Sequence, residues 1–486
     1  MEFPAAVSSE SPGGRGAWWK NAVIYQIYVR SFADSGTDGV GDIRGITGKL
    51  GYLAWLGVDA LWLTPVMPSP GHDNGYDVAD YLAIDPVMGT LADLVELVAG
   101  ARRRGIRILL DLVPNHTSIE HPWFRDERTR REYYIWSGRP NNWVNTYRQS
   151  CWTYYPPDGR YYLHSYLPEQ PDLNWRNDEV REQFDRILRY WFDLGIAGFR
   201  IDACYLLMKD ELLRDNPAAG PGDHMWDRNR GQRPVHNANH HEVHDVLRRW
   251  RKLAGEYGSP RLLMGATWVP RPDDLAAYYG SGDELQLPQY MQLLFTPLRA
   301  GALARAVEDW LAAVPDGQVP VWTASSHDFS RFPSRWCDGD PALIRTALTL
   351  LLTLPGSCVL YQGDELGLTD NPWAAGGSTD PSGQCREVYR APMPWRDEPG
   401  GGFSTARPWL PLGDTAACNV AAQLADRGSV LHWTRALIRR KKSLSGRYQR
   451  TGLTGSTWAY RRGSAAITLD FRPTRPGRVS LTEVHP

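Results

Sequence analysis

Short apolar runs bounded by turn residues recur along the chain, and the segments between them place apolar side chains at three- and four-residue spacing. The first pattern suits strands buried on both faces and the second suits helices with one covered stripe. Their alternation predicts a parallel sheet with crossover helices. Eight runs qualify as strands, at 22–31, 59–65, 106–113, 198–203, 262–267, 284–290, 319–324 and 358–362, and the stretches 90–103, 178–194 and 242–257 read as covering helices. Eight strands with helices between them predict an α/β fold, a (β/α)₈ TIM barrel.

Two stretches break the rhythm. Residues 117–175 are rich in Trp, Tyr, Pro, Arg and Asn and read as a domain inserted after the third strand, and alternation in 456–461, 465–471 and 478–482 predicts a short C-terminal β-domain. The expected division is a tail at 1–16, a barrel formed by 17–116 and 176–446, an inserted domain at 117–175 and the β-domain at 447–486. The Gly/Pro-rich segment 398–405 reads as a loop.

Composition narrows the partners. With 54 Lys and Arg against 55 Asp and Glu the formal charge is −1, and no long run of one sign is present to bind phosphates or anionic lipid. Nucleic acid and membrane are therefore not expected partners. The 21 Trp and 23 Tyr exceed what a core needs, and flat apolar faces with polar tips suit stacking on sugar rings. The opening residues lack a basic stretch followed by an apolar run, and the expected compartment is the cytoplasm. The six cysteines are scattered without a Cys-x-x-Cys pair, as expected of reduced structural thiols. Cys204, beside the candidate chemistry, reads as a small apolar filler.

In a (β/α)₈ barrel the reacting groups sit where strands end. Polar residues follow three of the apolar runs here: Asp111-Leu112-Val113-Pro114-Asn115-His116, Gly198-Phe199-Arg200-Ile201-Asp202 and Ser325-Ser326-His327-Asp328. One such group is ordinary capping; three at equivalent places predict one site. Arg200 and Asp202 are alternate residues of a strand and share a face, so the guanidinium can hold the carboxylate ionised and oriented.

These segments resemble the ordered motif set of the α-amylase family, from about Trp18 to Ser443. The set includes Gly41-Asp42-Ile43-Arg44-Gly45-Ile46, His72-Asp73-Asn74-Gly75-Tyr76-Asp77-Val78 and Tyr361-Gln362-Gly363-Asp364-Glu365-Leu366-Gly367. Gln170-Pro171-Asp172-Leu173-Asn174 resembles the α-glucosidase and oligo-1,6-glucosidase branch. The resemblance implies an exo-acting, retaining α-glucosidase or α-glucosyltransferase whose substrate is a small α-glucoside or oligosaccharide. Asp202 would be the nucleophile that forms a covalent glucosyl-enzyme. Asp328 would stabilise the transition state and, with His327 and His116, grip the hydroxyls of the terminal glucose. Tyr76 would be the stacking floor, and Asp73 with Arg390 would close the pocket behind the sugar. Ala203, after the nucleophile, resembles the small residue of α-1,4-preferring members. The resemblance leaves a sucrose- or trehalose-processing isomerase or synthase as an alternative, and leaves the oligomeric state open.

The sequence departs from that pattern after the fifth strand. Leu263-Met264-Gly265-Ala266-Thr267-Trp268 carries alanine where the family has its acid/base glutamate, and Ser326 stands where asparagine precedes the His-Asp pair. A retaining glycosidase needs two carboxyls roughly 5 to 5.5 Å apart, one to attack and one to protonate the leaving oxygen. Loss of the second is expected to remove about 10²- to 10⁴-fold of rate on natural glycosides. Two explanations follow, a glutamate replaced in an otherwise working site, which we take as the expectation, or a natural pseudoenzyme that binds sugars without hydrolysis. No cofactor is required. The loop Asp34-Ser35-Gly36-Thr37-Asp38-Gly39-Val40-Gly41-Asp42 resembles a calcium loop of related α-glucosidases, with Asp34, Asp38, the Val40 carbonyl and Asp42 as ligands of a structural Ca²⁺ and with Gly36 removing one ligand.

Overall fold

A computed structural model describes residues 17–376, 380, 383–472 and 480–483. Eight parallel strands, Val23–Ile27, Ala60–Leu63, Arg107–Leu112, Gly198–Ile201, Leu262–Gly265, Leu287–Tyr290, Val321–Thr323 and Ser357–Tyr361, close into a barrel. Each pairs with its sequence neighbours, and the first pairs with the eighth at Val23 and Cys358. The strands are shorter than the apolar runs because the chain turns sharply at the barrel mouth: Val29–Ser31, for example, is a 3₁₀ turn.

Alternation along the strands decides which side chains fill the barrel. Ile24, Trp62, Leu109, Met264, Leu287, Val321 and Val359 form one buried interior cluster. Their neighbours Tyr25, Leu61, Leu63, Leu110, Phe199 and Leu263 point outward into the larger core shared with the helices. The helix Asp178–Asp193 starts at Asn177, which accepts the Glu179 N–H, and buries the stripe Val180, Phe184, Ile187, Leu188 and Trp191. Helix Leu91–Arg102 starts with a capping box between Thr90 and Asp93. Burial of each large apolar side chain contributes about 1.5–3 kcal/mol, so these stripes hold the helices on the barrel.

Between the third and fourth barrel strands lies a three-stranded antiparallel sheet of Trp136–Ser137, Arg160–Leu163 and Trp152–Tyr155, packed on Phe124. After the barrel, Tyr448–Leu453, Thr457–Arg462, Ala465–Asp470 and Ser480–Glu483 form a four-stranded antiparallel sheet. The first of these was not expected from the pattern, because it is mostly exposed and a bulge between Arg450 and Gly452 breaks its alternation. The tail expected at 1–16 lies outside the described residues. Segment 398–405 is a loop with Gly400 and Gly401 at positive φ, and it packs on the loop that begins at Asp34. All six cysteines are free, and no helix among the described residues is long and apolar enough to cross a membrane.

Candidate active site

The fourth barrel strand ends in Arg200-Ile201-Asp202, and its register sets Arg200 beside Asp111 of the third strand. Arg200 Nη1 donates to Asp111 Oδ1 at 2.9 Å and to Asp202 Oδ1 at 2.5 Å. Tyr76 Oη and Trp62 Nε1 donate to the other Asp111 oxygen at 2.8 and 3.2 Å. Asp111 thus fixes Arg200, and Arg200 fixes one Asp202 oxygen. The second Asp202 oxygen has no hydrogen-bond partner among the described residues, and the side chain is 14% exposed. The chain turns immediately afterwards: Ala203 takes a left-handed φ of 45°, a strained conformation for a residue with a Cβ, and starts a 3₁₀ turn. Burial pushes the Asp202 carboxyl above its ordinary range although Arg200 and His116 pull it down, and burial pushes Asp111 up to about 7 against the pull of Arg200.

Asp328 follows the seventh strand. Its Oδ1 accepts from Arg386 Nη1 at 3.1 Å and Arg390 Nη2 at 2.9 Å. Burial acts to raise this carboxyl, but the Arg386 and Arg390 guanidiniums outweigh it and hold it well below the ordinary carboxylate range. His327 is kept neutral, pushed down to about 3 by burial and by the surrounding arginines. Gln26 Nε2 donates to His327 Nδ1 at 2.7 Å, which leaves the ring proton on Nε2. That Nε2 is buried without a hydrogen-bond partner; it stands 3.2 Å from Asp328 Oδ2 but off hydrogen-bond geometry. A buried donor left over in this way suits a ligand hydroxyl.

The closure of the pocket differs from expectation. Asp73 pairs with Arg386, whose Nη2 reaches Asp73 Oδ1 at 2.7 Å, and Arg390 does not touch it. Arg390 lies one short turn later, beyond the 3₁₀ helix Arg386–Tyr389, where it binds the His327 carbonyl at 2.7 Å and backs Asp328 from behind. Two arginines four residues apart were visible in the sequence, but only the turn between them decides which one reaches Asp73. Asp73 Oδ2 also accepts from Gln170 Nε2 at 3.3 Å.

Asp73, Tyr76, His116, Arg200, Asp202, Asp328 and Arg386 line one cavity of about 270 Å³ at the C-terminal mouth of the barrel, a volume suited to a small ligand. The Tyr76 ring stacks on His327 at 5.3 Å and 3°. His116 Nε2 lies 3.0 Å from the Tyr76 carbonyl. His327 and Arg390 stand behind this wall. Gln170, Tyr147 and Tyr166 also belong to the site or its rim, although the sequence singled out none of them for a role. They come from the inserted segment, where aromatic abundance hid individual positions.

Ala266 follows the fifth strand at the same mouth but is fully buried and does not line the cavity. It packs with Met291 and Leu294 under Trp268, Phe295 and Phe329. These rings form a continuous aromatic rim with Trp226: Trp268 stacks on Phe329 at 5.1 Å, and Trp226 meets Phe295 edge-on at 4.9 Å. Cys204 fills space beside Gly265, and its thiol donates to the Ala266 carbonyl. The carboxylates lining the cavity among the described residues are Asp73, Asp202 and Asp328. None of them comes from the strands or loops around Ala266.

In the loop of Asp34, Asp38, Val40 and Asp42 the carboxylates accept backbone N–H groups of the loop itself. Asp34 accepts the N–H groups of Gly36, Thr37 and Gly39, Asp38 accepts that of Val40, and Asp42 accepts those of Ser35, Gly36 and Gly45. The three carboxylates do not gather within 4.8 Å of one another.

Comparison with known proteins agrees with this architecture. The model of the alpha-amylase catalytic domain matches residues 26–446. A probable alpha-glucosidase of Rhizobium meliloti (strain 1021) is 37% identical over 463 residues, covering 88% of this chain and 83% of the relative. Among solved structures, the alpha-glucosyl transfer enzyme XgtA superposes with a TM-score of 0.88 at 35% identity, covering 94% of this chain and 91% of its own. The trehalulose synthase MutB of Pseudomonas mesoacidophila MX-45 superposes with a TM-score of 0.86 at 27% identity over 94% and 91% of the two chains. A mutant of MutB has been captured with the substrate sucrose.

Proposed function

The chain belongs to the alpha-amylase family, and from that premise we propose that it carries one α-linked glucose at a time on Asp202 as a covalent β-glucosyl ester. The observation that carries the reading is the Asp202 carboxylate, with one oxygen clamped by Arg200 and the other free at the wall of a small cavity. The free oxygen attacks the anomeric carbon as the bond to the leaving group breaks. Asp328 lines the cavity and on this reading binds sugar hydroxyls, and such contacts strengthen as the ring flattens towards an oxocarbenium ion. The Asp73–Arg386 pair closes one end of the cavity, which supports exo action on a terminal unit.

The acceptor side supports transfer over hydrolysis of ordinary glycosides. Water needs a base to attack the ester, and a sugar leaving group needs an acid; Ala266 supplies neither. The apolar cluster around Ala266 supports a site built around alanine rather than the replaced glutamate expected from the sequence. Treatment with α-glucosyl fluoride, whose leaving group needs no proton, tests the reading. Intact-protein mass should rise by one glucosyl unit in the wild-type chain and stay unchanged in Asp202→Asn. A wild-type chain that takes up no label would overturn the assignment of Asp202.

A further inference from the structure

The acceptor side lacks an acid, yet it carries charge of the opposite sign. Arg148 and Arg230 line the same cavity as Asp202, and neither makes an ion pair with a carboxylate among the described residues. The other arginines of the cavity, Arg200 and Arg386, are already held by Asp111, Asp202, Asp73 and Asp380. Arg230 ends the short helix Met225–Arg230, which also carries Trp226 into the aromatic rim. Tyr205, three residues after Asp202, lines the same cavity as Arg230. Asp227, on the same helix, feels the Arg230 charge but lies outside ion-pair distance. A partly buried cation without a carboxylate partner among the described residues, beside flat rings, is an arrangement for an anion carried on an apolar body.

We propose that the glucosyl group on Asp202 is exchanged with oxyanions, and that a carboxylate borne on an aromatic ring fits this rim; the proposal rests on Asp202 forming the glucosyl ester. In the first step an Asp202 oxygen bonds to the anomeric carbon while the bond to the leaving carboxylate oxygen breaks. The electron pair departs on that oxygen, which is stable as an anion. In the second step another carboxylate oxygen bonds to the same carbon, and the electron pair of the ester bond returns to Asp202. No proton moves in either step, so position 266 needs no acid or base. Arg230, with Arg148 at the exposed rim, binds the carboxylate, and the ring lies against Trp226, Trp268, Phe295 and Phe329.

The test loads the full chain with α-glucosyl fluoride and then offers benzoate, acetate or benzyl alcohol, following loss of the label by intact mass and formation of a glucose monoester. Benzoate should release the label saturably, at least about ten-fold faster than benzyl alcohol, the factor one charge-assisted hydrogen bond supplies. Arg230→Gln should raise the half-saturating benzoate concentration by about ten-fold, with partial recovery in Arg230→Lys. Trp268→Ala should erase the advantage of benzoate over acetate. Equal rates with benzoate and benzyl alcohol would overturn recognition of the charge. Equal rates with benzoate and acetate, unaffected by Arg230→Gln, would reduce the effect to a small anion entering a gap and would also overturn it. If the fluoride leaves no label at all, the assignment of Asp202 falls and this inference falls with it; a label that ignores all anions overturns this inference alone.

Discussion

The two walls of the cavity are built from different chemistry. At one end of the cavity, Asp73, Asp111, Asp202 and Asp328 are interlocked with Arg200, Arg386 and Arg390, so that nearly every charge has a partner at fixed distance. Around Ala266 the wall is apolar and aromatic, and the cavity's cations Arg148 and Arg230 have no ion-pair partner among the described residues. On the proposed reading, charge that must be oriented before reaction is paired and buried, charge that awaits a ligand is left open at the rim, and selection of the second partner falls to the aromatic side.

The largest effect should come from the charged wall itself. Asp202→Asn removes the attacking oxygen, and consumption of α-glucosyl fluoride should fall by about 10⁴-fold or more, as for loss of a nucleophile in other covalent catalysts. A smaller loss would mean that the paired wall positions sugar without forming the ester.

Ala266→Glu makes the apolar wall resemble the charged one. Turnover of unactivated α-glucosides such as maltose should rise by about 10²-fold or more, the lower end of what acid–base catalysis supplies. Exchange with benzoate should fall in the same variant, since the new carboxylate repels an anionic acceptor. Rates for both substrates, measured side by side, check the crossover.

Arg386→Gln attacks the pairing that sets the two walls apart. Asp73, Asp328 and Asp380 would lose a shared buried guanidinium, and unfolding by denaturant should show a loss of about 3 kcal/mol, at the lower end for breaking a buried ion pair. Arg390→Gln, which leaves the Asp73 pair intact, should cost less.

The smallest effect is in the pH profile of glucosyl-ester formation. Asp202 must be ionised to attack, and burial raises its carboxyl above the ordinary range. The rate is therefore present at neutral pH and is lost as pH falls, beginning above the usual carboxylate range, by about ten-fold per unit below the raised value. Asp328 stays charged throughout that fall because its carboxyl is held low. No alkaline limb from an acid at position 266 is expected in the wild-type chain, whereas Ala266→Glu should introduce one.

Periodicity alone located all eight barrel strands, because residues buried on both faces leave unbroken apolar runs that few other structures produce. The polar groups at strand ends were legible for the same reason: Asp202 and Asp328 stand directly after such runs. Tyr448–Leu453 escaped, since an exposed, bulged edge strand has no alternation to read. In the Asp34–Asp42 loop, acidic spacing along the chain did not show that the carboxylates accept the backbone N–H groups of the loop itself, because the folded turn decides that.

Residue identity and local spacing determined the barrel, the position of the Asp202 carboxylate and the absence of one at 266, because each is written in consecutive residues of one strand end. Tertiary structure alone decided that Asp73 pairs with Arg386, that Trp226, Trp268, Phe295 and Phe329 form one rim beside Ala266, and that Arg230 faces the cavity without an ion-pair partner among the described residues. These residues come from loops far apart in the chain, and the barrel brings them together only when its strands close, so their distances are a property of the closed sheet rather than of any segment.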